Sequence, residues 1–228
     1  MAWMSSGSSN ASLIKNLTSN GLITSDRVKT AMLAVDRAHF APAAPYTDSP
    51  QTIGYSATIS APHMHAAACE SLLPYLHPSA RVLDIGSGSG YLTAVLASLL
   101  GPSGKVFGID HIQGLVDLAN KNMSKSQQGK EWLQSGKVKF VKGDGRLGYQ
   151  EPGVAAEEGK WDAIHVGAAA KEAHSALLEQ LKAPGRLFIP VGEGTQYIWV
   201  IDKKEDGSVV RERTMGVRYV PLTDHPGE

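Results

Sequence analysis

A chain of 228 residues that is 42% hydrophobic and 19% charged is long enough for a well-buried α/β domain with small additions. Its 22 Lys plus Arg balance 22 Asp plus Glu, which removes any general pull toward nucleic acid or an anionic membrane surface. Cys69 is the only cysteine, which excludes an intrachain disulfide and argues against a cysteine-based zinc site.

The opening residues, MAWMSSGSSN, show no basic stretch followed by an apolar one, so no secretory signal is expected. The longest apolar run, Tyr91 to Leu100, is too short to span a bilayer. A soluble cytoplasmic protein is therefore expected. The Asn-x-Ser/Thr triplets at Asn10, Asn16 and Asn122 read as chance matches to the glycosylation sequon.

Residues 10–20 have helical spacing and stop at Asn20-Gly21. Val28, Ala31, Met32 and Val35 continue a helical face, with Ser25 as its N-cap. HFAPAAPYTDSP (39–50) is a proline-punctuated linker, 51–61 is small, polar and β-prone, and 62–76 predicts a helix. From Arg81 strands at 81–85, 105–110, 137–144, 161–167 and 185–191 alternate with helices at 91–100, 112–124 and 171–182. That alternation predicts an α/β fold with a mostly parallel sheet and helices on both faces. YIWVID and the segment 209–223 flank Asp206-Gly207, a hairpin signal, so the sheet is expected to end antiparallel. No internal repeat is evident. The chain reads as a single domain over 1–228: a helical and loop addition over 1–76, then a Rossmann-like core over 77–228.

VLDIGSGSGYL (82–92) is a strand, a glycine turn and the start of a helix, the arrangement that brings backbone against a nucleotide. A dinucleotide fold asks for a third glycine five places after the first; here that place is Tyr91. Asp84, at the tip of its strand, would repel a pyrophosphate and suit a cationic group or the waters around it. Asp110 ends the next strand, where a carboxylate accepts hydrogen bonds from ribose hydroxyls. Asp144, between Gly143 and Gly145, is placed to accept from an adenine amino group. Aspartates at successive strand ends fit a cationic, phosphate-free adenosine, and S-adenosylmethionine is that molecule. Solvated loop aspartates around a structural turn are the plainer alternative.

The acceptor is narrowed by what is missing. HVGAAA (165–170) stands after the fourth strand in place of the Asn/Asp-Pro-Pro-Tyr/Phe motif that grips planar amino groups. There is no Pro-Cys nucleophile for cytosine and no catechol-type metal cage. Oxygen acceptors, carboxylates among them, stay open.

The segments DSPQTIGYSATISAPHMHA (48–66), LDIGSGSGYLTA (83–94), GIDH (108–111), GDGR (143–146), WDAIHVGAAA (161–170), GRLFIPVG (185–192) and GVRYVPLTD (216–224) together resemble the protein-L-isoaspartate O-methyltransferase family, on its eukaryotic-like branch. The glycine motif is shared by a large superfamily; ATISAPHMHA and GVRYVPLTD are the specific part. The resemblance implies a Rossmann-like methyltransferase that uses S-adenosylmethionine and releases S-adenosylhomocysteine. It would methylate the free α-carboxyl of L-isoaspartyl residues, and less well D-aspartyl residues, in damaged proteins and peptides, with ring closure to a succinimide returning some normal aspartate. The cofactor residues it carries over are Ala57, Thr58, Ile59, Ser60, His65, Asp84, Ile85, Gly86, Ser87, Gly88, Asp110, His111, Asp144, Gly145 and Thr223, with Ser60 as the active-site residue. A monomer without nucleic-acid or membrane partners is expected.

Read by themselves, these residues leave choices. Ser60, before Ala61-Pro62, is either the N-cap of the next helix or a donor that holds the acceptor carboxylate in line with the methyl–sulfur bond. His63 and His65 lack the four-residue spacing of a helical metal pair, so no metal is expected. His65 is read as lining the cofactor pocket, or as an ordinary half-buried histidine. Thr58 and Ile59 are candidates to offer backbone groups to an extended peptide. Cys69 is read as core. The competing functions are another oxygen or carboxyl methyltransferase of this fold, a non-catalytic binder of adenosyl compounds, and an NAD oxidoreductase.

Overall fold

The computed structural model describes residues 5–222. Helix α1 (Asn10–Ser19) begins in a capping box: the Ser9 side chain accepts from the Ser12 N–H, and the Ser12 hydroxyl accepts from the Ser9 N–H. Helix α2 (Asp26–Ala34) is capped by Ser25, as predicted, and buries Val28, Ala31 and Met32. Strands β1 (Gln51–Gly54) and β2 (Ala57–Ile59) pair only with each other, as an antiparallel hairpin. Its turn puts Tyr55 and Ser56 at φ 53° and 56°, the left-handed pair that a tight two-residue hairpin demands.

Helix α3 (Pro62–Leu72) starts with proline in its first turn, and Ala61 is the N-cap, with no side-chain cap bond. The capping role for Ser60 is therefore wrong, because the chain enters the helix one residue later. The helix also stops short of Leu76. Pro74 has no N–H to continue the ladder, and residues 73–75 tighten into a 3-10 turn.

The main sheet comprises β3 (Arg81–Ile85), β4 (Lys105–Asp110), β5 (Val138–Lys142), β6 (Trp161–Val166), β7 (Leu181–Val191), β8 (Gln196–Lys203) and β9 (Val209–Val217). Their order is β5-β4-β3-β6-β7-β8-β9, parallel through β7 and antiparallel for the last two pairings. Helices α4 (Tyr91–Leu99), α5 (Gln113–Met123), α6 (Gln127–Gln134) and α7 (Ser175–Gln180) complete the fold. Alternation in β3 sends Val82 into one apolar core and Leu83 and Ile85 into the other, so the sheet is buried on both faces.

Two elements depart from expectation. Helix α6 was not foreseen; it buries only Gly129 and Trp132, too sparse a stripe to read. The helix expected over 171–182 is six residues long. Ala169 and Ala170 are bridged to Pro221 and Val191, which keeps the chain extended, and β7 begins at Leu181 opposite Trp161.

Candidate active site

Strand β3 sits where the strand order reverses, with β4 on one side and β6 on the other. Crevices at the carboxyl ends of such strands are where open α/β sheets bind ligands. Here the turn after β3 is made by Gly86, Gly88 and Gly90 at φ 74°, 52° and 85°, conformations that other residues rarely adopt. The N–H groups of Gly86 and Ser87 donate to the Ile109 carbonyl at 2.8 and 3.0 Å, and Gly167 N–H donates to the Ile85 carbonyl at 2.7 Å. Three strand ends are thereby knotted around one point.

A cavity of about 240 Å³ opens there. Ile85, Ile109, Ile112 and Leu115 give it apolar walls, and Gly86, Gly88, Gly143 and Gly145 let backbone approach closely. A Cβ on Gly145 would overlap Ile85, so glycine is required at that position. Ala57 and Thr58 come from the hairpin, and Val220, Pro221 and Leu222 from the segment after β9. Asp110 and His111 complete the lining. Asp110 accepts from the N–H groups of Gly88 and Ile112, both at 3.1 Å, and keeps spare lone pairs on each oxygen. Burial raises its pKa above the usual value, against the lowering effect of those hydrogen bonds.

A second, smaller cavity of about 30 Å³ adjoins it, sharing Thr58, Gly86, Gly88 and Gly167 with the first. Ile59, Ser60, His65, Asp84 and Ser87 line it. The Ser87 hydroxyl is buried and has no hydrogen-bond partner among the described residues. Asp84 is not free to meet a cation: His165 Nδ1 lies 2.8 Å from one oxygen, and the Thr93 hydroxyl donates to the other at 2.5 Å. Asp144 lines neither cavity; Arg146 forks onto both its oxygens and holds its carboxyl below the usual range. Thr223 lies outside the described residues.

Residues 8–227 match the family model for protein-L-isoaspartate(D-aspartate) O-methyltransferase. The chain belongs to that family. It is 48% identical over 225 residues to the protein-L-isoaspartate O-methyltransferase of Caenorhabditis elegans, covering 98% of this chain and 96% of the relative. The Triticum aestivum enzyme of the same name is 47% identical, covering 96% and 93%. A crystal structure described as a protein-L-isoaspartate O-methyltransferase from Plasmodium falciparum, in complex with S-adenosyl-L-homocysteine, superposes with a TM-score of 0.85 at 34% identity, covering 95% of this chain and 99% of that one.

Several residues of this family member's site escaped sequence reasoning. Arg37, in the turn after α2, is fully buried against Ser60 and His65. Nothing in its local sequence marks it. Tyr219 sits on Ser60, whose side chain hydrogen-bonds its hydroxyl, while burial pushes its pKa up to about 12. Gln196 clamps the Tyr219 backbone, donating to its carbonyl at 3.1 Å and accepting from its N–H. Ala169 and Leu222 then tie residues 220–222 down beside the first cavity. Ile112 and Leu115 carried a readable signal, a three-residue spacing at the start of a helix, and Tyr219 lies within GVRYVPLTD. Cys69 is core, as expected.

Proposed function

We propose that the chain transfers a methyl group from S-adenosylmethionine to the free α-carboxyl of L-isoaspartyl residues, and less well of D-aspartyl residues, in age-damaged proteins and peptides. The ester then closes to a succinimide, and hydrolysis returns some normal aspartate. The observation that carries this reading is the position of Ala57–Ser60: Thr58 lines both cavities, so the family-specific ATIS segment stands between the larger cavity and the smaller polar one.

The residues present fit the cofactor. The larger cavity has apolar walls for a flat base and the Asp110 lone pairs for ribose hydroxyls; the smaller has an orphaned Ser87 hydroxyl for a polar group. Bound there, S-adenosylmethionine supplies an electrophilic methyl on a cationic sulfur and leaves as S-adenosylhomocysteine. Ala57, Thr58, Ile59, Ser60, His65, Ile85, Gly86, Ser87, Gly88, Asp110, His111 and Gly145 line the two cavities as its binding set, joined by Asp144 from between Gly143 and Gly145 and by Thr223, with Asp84 acting at one remove by fixing Thr93 and His165.

Ser60 donates its hydroxyl to the acceptor carboxylate and holds it in line. Among the described residues strand β2 pairs only with β1, and its other edge offers the Thr58 and Ile59 backbone to an extended peptide. An α-carboxyl, with a reference pKa of about 3.3–3.7, is ionised at neutral pH, so no base is needed. Alignment and exclusion of water do most of the work, because opposite charges meet without full hydration.

The chain works as one unit, residues 1–76 forming the substrate side of a core over 77–228. It acts as a cytoplasmic monomer, without nucleic acid or membrane, a setting that a single buried thiol and balanced charge support. Among the described residues no helix is long and apolar enough to cross a membrane. Transfer of labelled methyl to matched isoaspartyl and aspartyl peptides tests the reading: the isoaspartyl peptide is labelled and the aspartyl one is not. Equal labelling of both overturns it.

A further inference from the structure

Arg37 is buried to 0% exposure beside the smaller cavity. Its Nη2 donates to the Ser60 carbonyl at 2.7 Å, its Nη1 lies 3.2 Å from Nδ1 of His65, and its guanidinium carbon sits 4.9 Å from the centre of the Tyr91 ring. It is held from behind as well: the Asp36 side chain caps its 3-10 turn, and the Arg37 N–H donates to Asn10 at 3.5 Å. A guanidinium has only donors and keeps its proton. Nδ1 of His65 must then be the acceptor, and the ring proton must sit on Nε2.

We infer that Arg37 is a positioning residue that locks His65 as the neutral Nε2–H tautomer. The wall of the smaller cavity thereby keeps a hydrogen-bond donor, and not a second cation, across the working pH range. The same guanidinium fixes the Ser60 carbonyl, so one buried cation sets both the residue that presents the acceptor and the ring beside it.

The surroundings act in the same direction. His65 is held well below its ordinary value by burial first, then by the charges of Arg37, of His165 from β6 and of His63 from its own helix. Tyr91, from α4, packs its ring 5.1 Å away. The carboxylates of Asp84 and Asp48 are engaged by His165 and His63, both at 2.8 Å, and not by His65. Among the described residues no carboxylate is hydrogen-bonded to His65.

Nitrogen-detected NMR of the full chain, with 15N-labelled histidine, reads the tautomer directly. In the wild-type protein His65 is expected to show a protonated Nε2 and a bare Nδ1, unchanged between about pH 5.5 and pH 8. In Arg37→Gln, whose amide both donates and accepts, the Nδ1–H tautomer is expected to appear beside the Nε2–H one. Affinity for S-adenosylhomocysteine then falls about threefold or more, and in a His65→Asn background the same Arg37→Gln change has a smaller effect. Wild-type His65 protonated on Nδ1, or titrating near its ordinary value, overturns the lock even where Arg37→Gln fails to fold. A folded Arg37→Gln that keeps the Nε2–H tautomer alone overturns it too. The effect on affinity rests on the proposed reading of the site. If wild-type protein does not bind S-adenosylhomocysteine, that reading fails, while the tautomer measurement still decides the lock.

Discussion

Asp84 and His165 face each other across the seam between β3 and β6, in direct register, with Oδ1 and Nδ1 2.8 Å apart and both residues buried. The other Asp84 oxygen takes the Thr93 hydroxyl from α4, so one carboxylate ties two strands and a helix beneath the glycine turn. Asp84→Ala would orphan both partners in the interior. Leaving a buried hydrogen-bonding group without its partner costs about 1–3 kcal/mol for each group. Urea unfolding is expected to show that loss, with Asp84→Asn losing less because one acceptor remains. An Asp84→Ala protein of wild-type stability would mean that the pair is slack in solution.

Asp110→Ala is expected to weaken cofactor binding by about 1.5–3 kcal/mol, the scale of a hydrogen bond to a charged group. Asp110→Asn should lose less, since it keeps an acceptor. Because the carboxylate also anchors the Gly88 and Ile112 N–H groups, the Ala variant should bind with a less favourable enthalpy as the turn loosens. Calorimetric titration with S-adenosylhomocysteine is the measurement. Unchanged affinity in a folded variant would confine Asp110 to a turn-holding role.

Tyr55, 58% exposed at the hairpin tip, lies over Gly114 in the first turn of α5, where a Cβ would overlap its ring. Gly114→Ala should therefore push Tyr55 off the mouth of the larger cavity while favouring the helix by about 0.5–1 kcal/mol. The expected result is a melting temperature equal to or above wild type. S-adenosylhomocysteine should dissociate faster, its affinity weakened about three- to tenfold, or roughly 0.7–1.4 kcal/mol. Wild-type dissociation kinetics would show that Tyr55 does not cover the ligand.

Ser60→Ala should cost no more than about 0.5–1.5 kcal/mol of stability, the net worth of its hydrogen bond to Tyr219, because Ala61 and not Ser60 caps α3. Loss of the orienting hydroxyl, at about 1.5–3 kcal/mol, should instead lower turnover about ten- to hundredfold with cofactor affinity nearly intact. Single-turnover methyl transfer and thermal melting, run on the same preparation, separate the two effects. A lower melting point with untouched turnover would make Ser60 structural.

The local part of this protein was written in its sequence. Apolar runs of strand length alternating with helical stripes made the parallel sheet legible, because each period depends on neighbours a few residues away. The glycines after β3 and the aspartates at successive strand ends were legible for the same reason. ATISAPHMHA and GVRYVPLTD mark the family in the sequence alone. Tertiary structure decided which of these groups do what. Asp84 looked like a partner for a cation, but β6 brings His165 onto it from 81 residues away. Ser60 looked like a cap until the helix began one residue later. Strand β7 took Leu181, expected to be helical, because Trp161 lay opposite it. Arg37 carried no local mark at all: its significance comes from Ser60 and His65, 23 and 28 residues further along, which the fold presses against it away from water. Periodicity reports how a segment folds on itself. Hydrogen bonds and charges between distant segments exist only once burial has removed the water that would otherwise satisfy them.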